Sequence, residues 1–174
     1  MTVSVEDGLN LGLRKRHGRA INAVADFLRY RSPKLSVPNI YIEPHLPLLS
    51  GVDVLAVDRA GSGDLHIVEI KDFANVTSSV QLDRCLEPLK KWPAHFKYIA
   101  IPRATNPERF ISHAKLFARN GIGRIGIIFL DTTGTDLPEV TLFSPAERFV
   151  VGQESMEKIE RALSKRKPDI EVRI

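Results

Sequence analysis

With 174 residues, 43% of them hydrophobic, the chain has the length of one globular domain and enough apolar side chains for a buried core. A formal charge of +4 and a pI near 9.3 suit a polyanionic partner such as nucleic acid. The single cysteine, Cys85, excludes an internal disulfide and a cysteine-rich metal cluster, and no apolar run approaches the roughly 18 residues that span a bilayer, so a reducing, cytoplasmic setting is expected.

The opening stretch MTVSVEDGLNLGLRKRHGR lacks the apolar centre of a signal peptide, which argues against secretion. In GRAINAVADFLRY, Ile21, Val24, Ala25 and Leu28 fall at the spacing of one helical face and predict a first helix ending near Tyr30. RSPKLSVP breaks that helix, and NIYIEPHLP reads as a short strand stopped by Pro44 and Pro47. VDVLAVDRAGSGDLHIVEIKDF reads as two β-rich runs around Gly61, Ser62 and Gly63, the signature of a hairpin.

Beyond the hairpin, Leu82, Cys85, Leu86, Leu89 and Trp92 recur at helical spacing, with Pro88 expected to kink or shorten the helix. FKYIAIP is a predicted strand. NPERFISHAKLFARNG carries helix punctuation: Asn106 to cap, Pro107 for the first turn, and Asn120 with Gly121 to end it. IGIIFLD and VTLF follow as strands around the turn TTGTDLPE. SMEKIERALSKRK closes the chain as an amphipathic helix over about 155–167, with Met156, Ile159, Ala162 and Leu163 facing inward. The order predicts a single α/β domain over 1–174, a mixed-sheet sandwich whose late strands are buried on both faces.

Charges inside the apolar strand LHIVEIK give the first lead to function. Leu65, Ile67, Glu69 and Lys71 share one side of it, while His66, Val68 and Ile70 share the other. Burying Glu69 and Lys71 unpaired would cost several kcal/mol or more. A hairpin centred on Ser62 puts Asp53 opposite Lys71 and Leu55 opposite Glu69, so Asp53 and Glu69 become diagonal neighbours roughly 7–8 Å apart. Two carboxylates that close repel unless a cation joins them, and hard oxygen ligands suit Mg²⁺ or Mn²⁺. A lysine beside them can stabilise charge on a phosphate or help activate water, and the combination fits phosphodiester hydrolysis.

Asp53 in GVDVLAVD and Glu69-Ile70-Lys71 in HIVEIK, with their preceding helix and the helix-strand-helix-strand that follows, resemble the PD-(D/E)XK nucleases. This restriction-endonuclease-like superfamily includes archaeal Holliday-junction resolvases and Mrr-type restriction enzymes. The resemblance covers roughly residues 15–145 and implies a restriction-endonuclease-like mixed β-sheet flanked by helices. It further implies Asp53 and Glu69 as ligands of Mg²⁺ or Mn²⁺, with the Ile70 carbonyl as a further ligand and Lys71 assisting catalysis on DNA. Val52 stands where the namesake proline often sits. Gln81 is a candidate for the polar residue that some relatives carry on the next helix, and Glu6 and Asp26 are both candidates for an acid on the first.

GIGRIG spells GxGxxG over residues 121–126, but it follows a predicted helix and opens a strand, the reverse of a dinucleotide fingerprint. The five histidines show no pairing at zinc-ligand spacing. Arg14, Lys15, Arg16 and Arg19, at or just before the start of the first helix, are candidate nucleic-acid contacts, as are Lys165, Arg166 and Lys167. The expected function is therefore a metal-dependent endonuclease acting on DNA as a monomer or homodimer. Its rival is a catalytically silent nucleic-acid-binding module, or a subunit of a larger nuclease complex, with the same fold.

Overall fold

Runs of β-branched residues punctuated by glycine and proline build a six-stranded sheet in the computed structural model of the chain. The structure describes residues 5–32, 38–59, 62–71, 79–103, 124–131 and 137–169, without the side chains of residues 5–14 and 79–83. The strands are β1 (Pro38–Ile42), β2 (Val54–Asp58), β3 (Leu65–Ile70), β4 (Phe96–Pro102), β5 (Gly126–Asp131) and β6 (Glu139–Ser144), adjacent in chain order. β1, β2 and β3 pair antiparallel, β3, β4 and β5 parallel, and β6 returns antiparallel. Three helices, α1 (Val5–Tyr30), α2 (Ser79–Lys91) and α3 (Gln153–Leu163), flank the sheet among the described residues. The fold is α/β with a mixed open sheet, as expected. The helix expected at 106–121 lies outside the described residues.

Period-two alternation divides the core into two layers. Leu55, Val57, Leu65, Ile67, Ile99 and Ile101 face α2 and α3, where Leu86, Leu89, Ile159 and Leu163 close over them. Val54, Ala56, Val68, Ile70, Tyr98 and Ala100 face α1, whose Ile21, Val24, Ala25 and Leu28 are all buried. β4 is buried along all but its last residue, the pattern of a parallel strand covered on both faces.

The hairpin register differs from expectation by one step of the turn. Val54 pairs with Val68 and Leu55 with Ile67, which centres the turn one residue before Ser62. The loop closes early because the Asp58 N–H donates to the Asp64 carbonyl at 3.2 Å, while Gly63, at φ 73°, donates to the Asp58 carbonyl at 2.9 Å. A left-handed residue there favours glycine. Such a shift moves each partner by two positions and leaves the faces unchanged, so Asp53 falls beside Glu69 rather than diagonal to it.

Other departures are local. α1 begins at Val5, so the basic cluster lies within the helix; arginine and lysine are good helix formers, and nothing crowds Gly18. Pro88 is accommodated inside α2, which runs on to Lys91. α3 ends at Leu163, four residues short of expectation. Arg166 instead reaches the carbonyls of Pro44 and Ile42, and Asp169 accepts from the Ile42 N–H at 2.7 Å, covering edge strand β1. Arg166 thus joins the chain's end to the sheet. Gly126, last of the GxGxxG string, meets the Tyr98 ring so closely that a Cβ would overlap it and lie 2.8 Å from the Ala146 nitrogen, which gives that glycine a packing role.

Candidate active site

Three strand ends and one helix meet at the edge of the sheet where β1 and β3 finish and β2 begins. Asp53 precedes β2 by one residue, and its Oδ2 accepts from the Ile70 N–H at 2.6 Å. That bond locks the carboxylate across the hairpin and turns Oδ1 outward, where His17 Nε2 of α1 lies 3.3 Å away. Ile70 thus reaches the cluster through its N–H.

Glu43 follows β1 at φ 40°, a left-handed conformation that costs a non-glycine residue on the order of 1 kcal/mol. Its N–H donates to the Asp53 carbonyl at 2.8 Å, fixing the two residues together. His17, Glu43 and Asp53 each present a ligand atom within 4.8 Å of the others. Neither Glu43 nor His17 stands in a local motif. His17 lies 36 residues before Asp53 and meets it only because α1 crosses the sheet.

Glu69 is 6% exposed, and its Oε2 has no hydrogen-bond partner among the described residues. Burial pushes its carboxyl above the ordinary range; the hydrogen bond from Lys71 opposes this, while the Asp53 charge adds to it. Lys71, just past the end of β3, is ion-paired through Nζ to Glu69 Oε1. Burial lowers the Lys71 ammonium, but the Glu69 pair and the Asp53 charge outweigh it and leave the group above its usual value. Lys71 therefore stays charged at neutral pH. Burial also raises the nearby Cys85 thiol, keeping it from the reactive thiolate form.

An open groove of about 600 Å³ leads to Glu69 between Ser50 and Gly51 on one side and Arg84, Lys91 and Trp92 on the other. Lys15, Arg16 and Arg19 are exposed on α1 around His17. Asp26 is exposed nine residues further along α1, about 13 Å along the axis and half a turn out of phase, so His17 and not Asp26 joins the cluster from that helix. The side chains of Arg14, Glu6 and Gln81 lie outside the described residues.

The donor set of His17, Glu43 and Asp53 fits a divalent cation. Two carboxylates and an imidazole bring several lone pairs together, and the Glu69 oxygen that has no partner among the described residues lies at the same end of the sheet, on a groove open to solvent. No helix among the described residues is long and apolar enough to cross a membrane. No protein-family model matches the chain, and neither a curated protein nor a solved structure does.

Proposed function

We propose that the chain is a divalent-metal-dependent endonuclease of the PD-(D/E)XK type, hydrolysing phosphodiester bonds in DNA with Mg²⁺ or Mn²⁺. The observation that carries this reading is the meeting of Asp53, Glu69 and Lys71 at one sheet end, with Glu69 buried and one of its oxygens without a partner among the described residues. A divalent cation held by Asp53 and Glu69 would neutralise phosphate charge and make an attacking water more acidic. Lys71 supplies fixed positive charge against the oxygens that gain negative charge in the transition state. The Ile70 N–H holds Asp53 in place through Oδ2, so the carboxylate needs little reordering. Arg84 lines the groove beside the Lys91–Glu87 pair, and Lys15, Arg16 and Arg19 stand on the α1 side, where cations can hold the backbone phosphates. We place the protein in the cytoplasm, where its free Cys85 stays reduced. Cutting both strands of a duplex would call for two copies, as in a homodimer.

The test is incubation of the protein with labelled duplex, single-stranded and four-way-junction DNA in Mg²⁺, Mn²⁺ or EDTA, beside Asp53→Ala and Lys71→Ala. We expect cleavage that EDTA abolishes and that both variants lose. If nothing is cut and all three proteins bind DNA alike, with or without chelator, the nuclease reading gives way to a binding module.

A further inference from the structure

We infer that His17, Glu43 and Asp53 form the primary ion site, and that its imidazole selects a manganese-class transition ion over Mg²⁺. The inference rests on the metal-dependent reading above and deepens it by naming the ion and two ligands that lie outside the D…ExK pattern.

The ligands come from three separate elements: His17 from the middle of α1, Glu43 from the end of β1, and Asp53 from the start of β2. Each is held in place by the fold. His17 rides on a helix anchored by Ile21, Val24, Ala25 and Leu28. Glu43 is tied by its own N–H to the Asp53 carbonyl, and Asp53 by its Oδ2 to the Ile70 N–H. That last bond divides the labour of the Asp53 carboxylate. Oδ2 is engaged with β3, which leaves Oδ1 on the side where His17 Nε2 lies 3.3 Å away.

Glu69 supplies the second observation. It is more than nine-tenths buried beside Asp53, yet Oε2 has no partner among the described residues, while Oε1 is held by Lys71. A buried carboxylate oxygen left in that state is costly, and Glu69 feels the charges of both Asp53 and His17, so a cation or an ion-bound water close to them would relieve it.

Ligand chemistry then decides the ion. Mg²⁺ demands near-ideal octahedral oxygen coordination at about 2.0–2.1 Å and usually keeps several waters. Neutral imidazole is a softer donor that suits first-row transition ions, whereas the two carboxylates retain the hard character that manganese tolerates. A site of one imidazole and two carboxylates therefore favours Mn²⁺ over Mg²⁺ in a way that an all-carboxylate pair does not. His17 Nε2 is the ring nitrogen turned toward Asp53 Oδ1, and it would hold the ion through its lone pair.

The experiment measures ion binding with no substrate present, so it stands apart from cleavage. Mn²⁺ is titrated into the full chain and the free-ion signal followed by electron paramagnetic resonance, with Mg²⁺ added as competitor. Circular dichroism verifies the fold of each variant. We expect one Mn²⁺ per chain, not displaced by a tenfold excess of Mg²⁺, with affinity falling about tenfold or more in His17→Asn and in Glu43→Gln. His17→Asp should keep an ion but let Mg²⁺ compete at equal concentration. Unchanged Mn²⁺ affinity in a folded His17→Asn, or ready displacement by Mg²⁺ from the wild type, overturns the inference. Tight, His17-dependent Mn²⁺ binding without DNA cleavage would overturn the nuclease reading alone. Cleavage with the same metal preference in wild type and His17→Asn would overturn this one alone.

Discussion

Strand β3 carries a buried carboxylate at each end, and the two are treated in opposite ways. Asp64, just before the strand, is 8% exposed and Glu69, near its close, 6%. Asp64 accepts from Arg148 at 2.8 Å, with Ser62 beside it and His95 at 3.5 Å. Burial pushes its carboxyl up, but Arg148, Ser62 and His95 together hold it below the ordinary carboxylate value. Glu69 has Lys71 and His17 for it and the Asp53 charge against it, yet burial outweighs them and its carboxyl rises. Under proton linkage, a lowered carboxyl means that the charge stabilises the fold, and a raised one that the charge costs stability. At one end of the strand the Asp64 carboxylate has been satisfied by its neighbours. At the other, the fold tolerates an unfavourable charge, the condition in which chemistry is commonly placed.

Substitutions at the two ends should separate activity from stability. The largest effect is expected at Asp53→Asn, where the amide oxygen can still accept from Ile70 but the charge is gone. Metal-dependent cleavage should fall roughly 10²–10³-fold with the melting temperature little changed, the scale seen when one electrostatic contributor to a transition state is lost. Equal cleavage by wild type and variant would end the contrast at once. Glu69→Gln and Asp64→Asn form a crossed pair. Glu69→Gln should lose cleavage by a similar factor while leaving stability equal or slightly higher, because the amide still accepts from Lys71. Asp64→Asn should cost about 1–3 kcal/mol in urea unfolding, the scale of losing a charged acceptor for Arg148 and a carboxylate beside His95, and leave cleavage unchanged.

The acid limb sharpens the same contrast. The lowered Asp64 carboxyl contributes stability above its unfolded value near 3.8, and that contribution is lost as pH falls through its folded value. His95 is lowered from 6.5, chiefly by burial, with Asp64 opposing and Arg148 assisting. Its unfolded form takes up a proton first, so stability also declines as pH drops below about 6.5. Urea midpoints followed from pH 7 to pH 3 should fall in the wild type, and the part of the fall below pH 4 should flatten in Asp64→Asn. An unaltered slope would remove Asp64 from the account.

How much of this could be read from the chain depends on whether the relevant contact is local. Alternation in LHIVEIK placed Leu65 and Ile67 on one face and His66, Val68 and Ile70 on the other, and both layers follow it. The hairpin brought Asp53 near Glu69 despite the misplaced turn, because parity survives a shift of two. His17 and Glu43 were illegible. Where α1 crosses the sheet is set by tertiary packing, and nothing in IEPH announces a left-handed glutamate. The family resemblance points to an acid on the first helix, Glu6 or Asp26, and carries no signal for the imidazole between them. Nor did FKYIAIP, read simply as a strand, reveal that its lysine is turned into the core.

That lysine tests whether the far end of the sheet is as fully satisfied as Asp64 suggests. Lys97 shares the α2 face with Ile99 and Ile101 and is 4% exposed, with its ammonium 4.5 Å from the centre of the Phe149 ring and 3.4 Å from the Lys90 carbonyl. The α2 C-terminus and the ring both favour a cation there. Burial nevertheless brings its pKa down from 10.5 to about 8. Below pH 8 the ammonium is charged in both the folded and unfolded states, and the fold bears the whole desolvation cost. Between about 8 and 10.5 the unfolded chain holds the proton that the folded chain has released, so stability rises with pH. Tyr98, whose hydroxyl burial pushes up to about 12, opposes the rise above pH 10, where the unfolded phenol ionises first. Each pKa unit corresponds to about 1.4 kcal/mol, and loss of the ring and carbonyl contacts offsets part of the gain, so Lys97→Met should stabilise the fold by about 1–2 kcal/mol at pH 7. It should also abolish the rise between pH 8 and 10. Destabilisation at pH 7 would mean that Phe149 and the α2 carbonyl outweigh desolvation, and that Lys97 belongs with Asp64 among the charges the fold has satisfied.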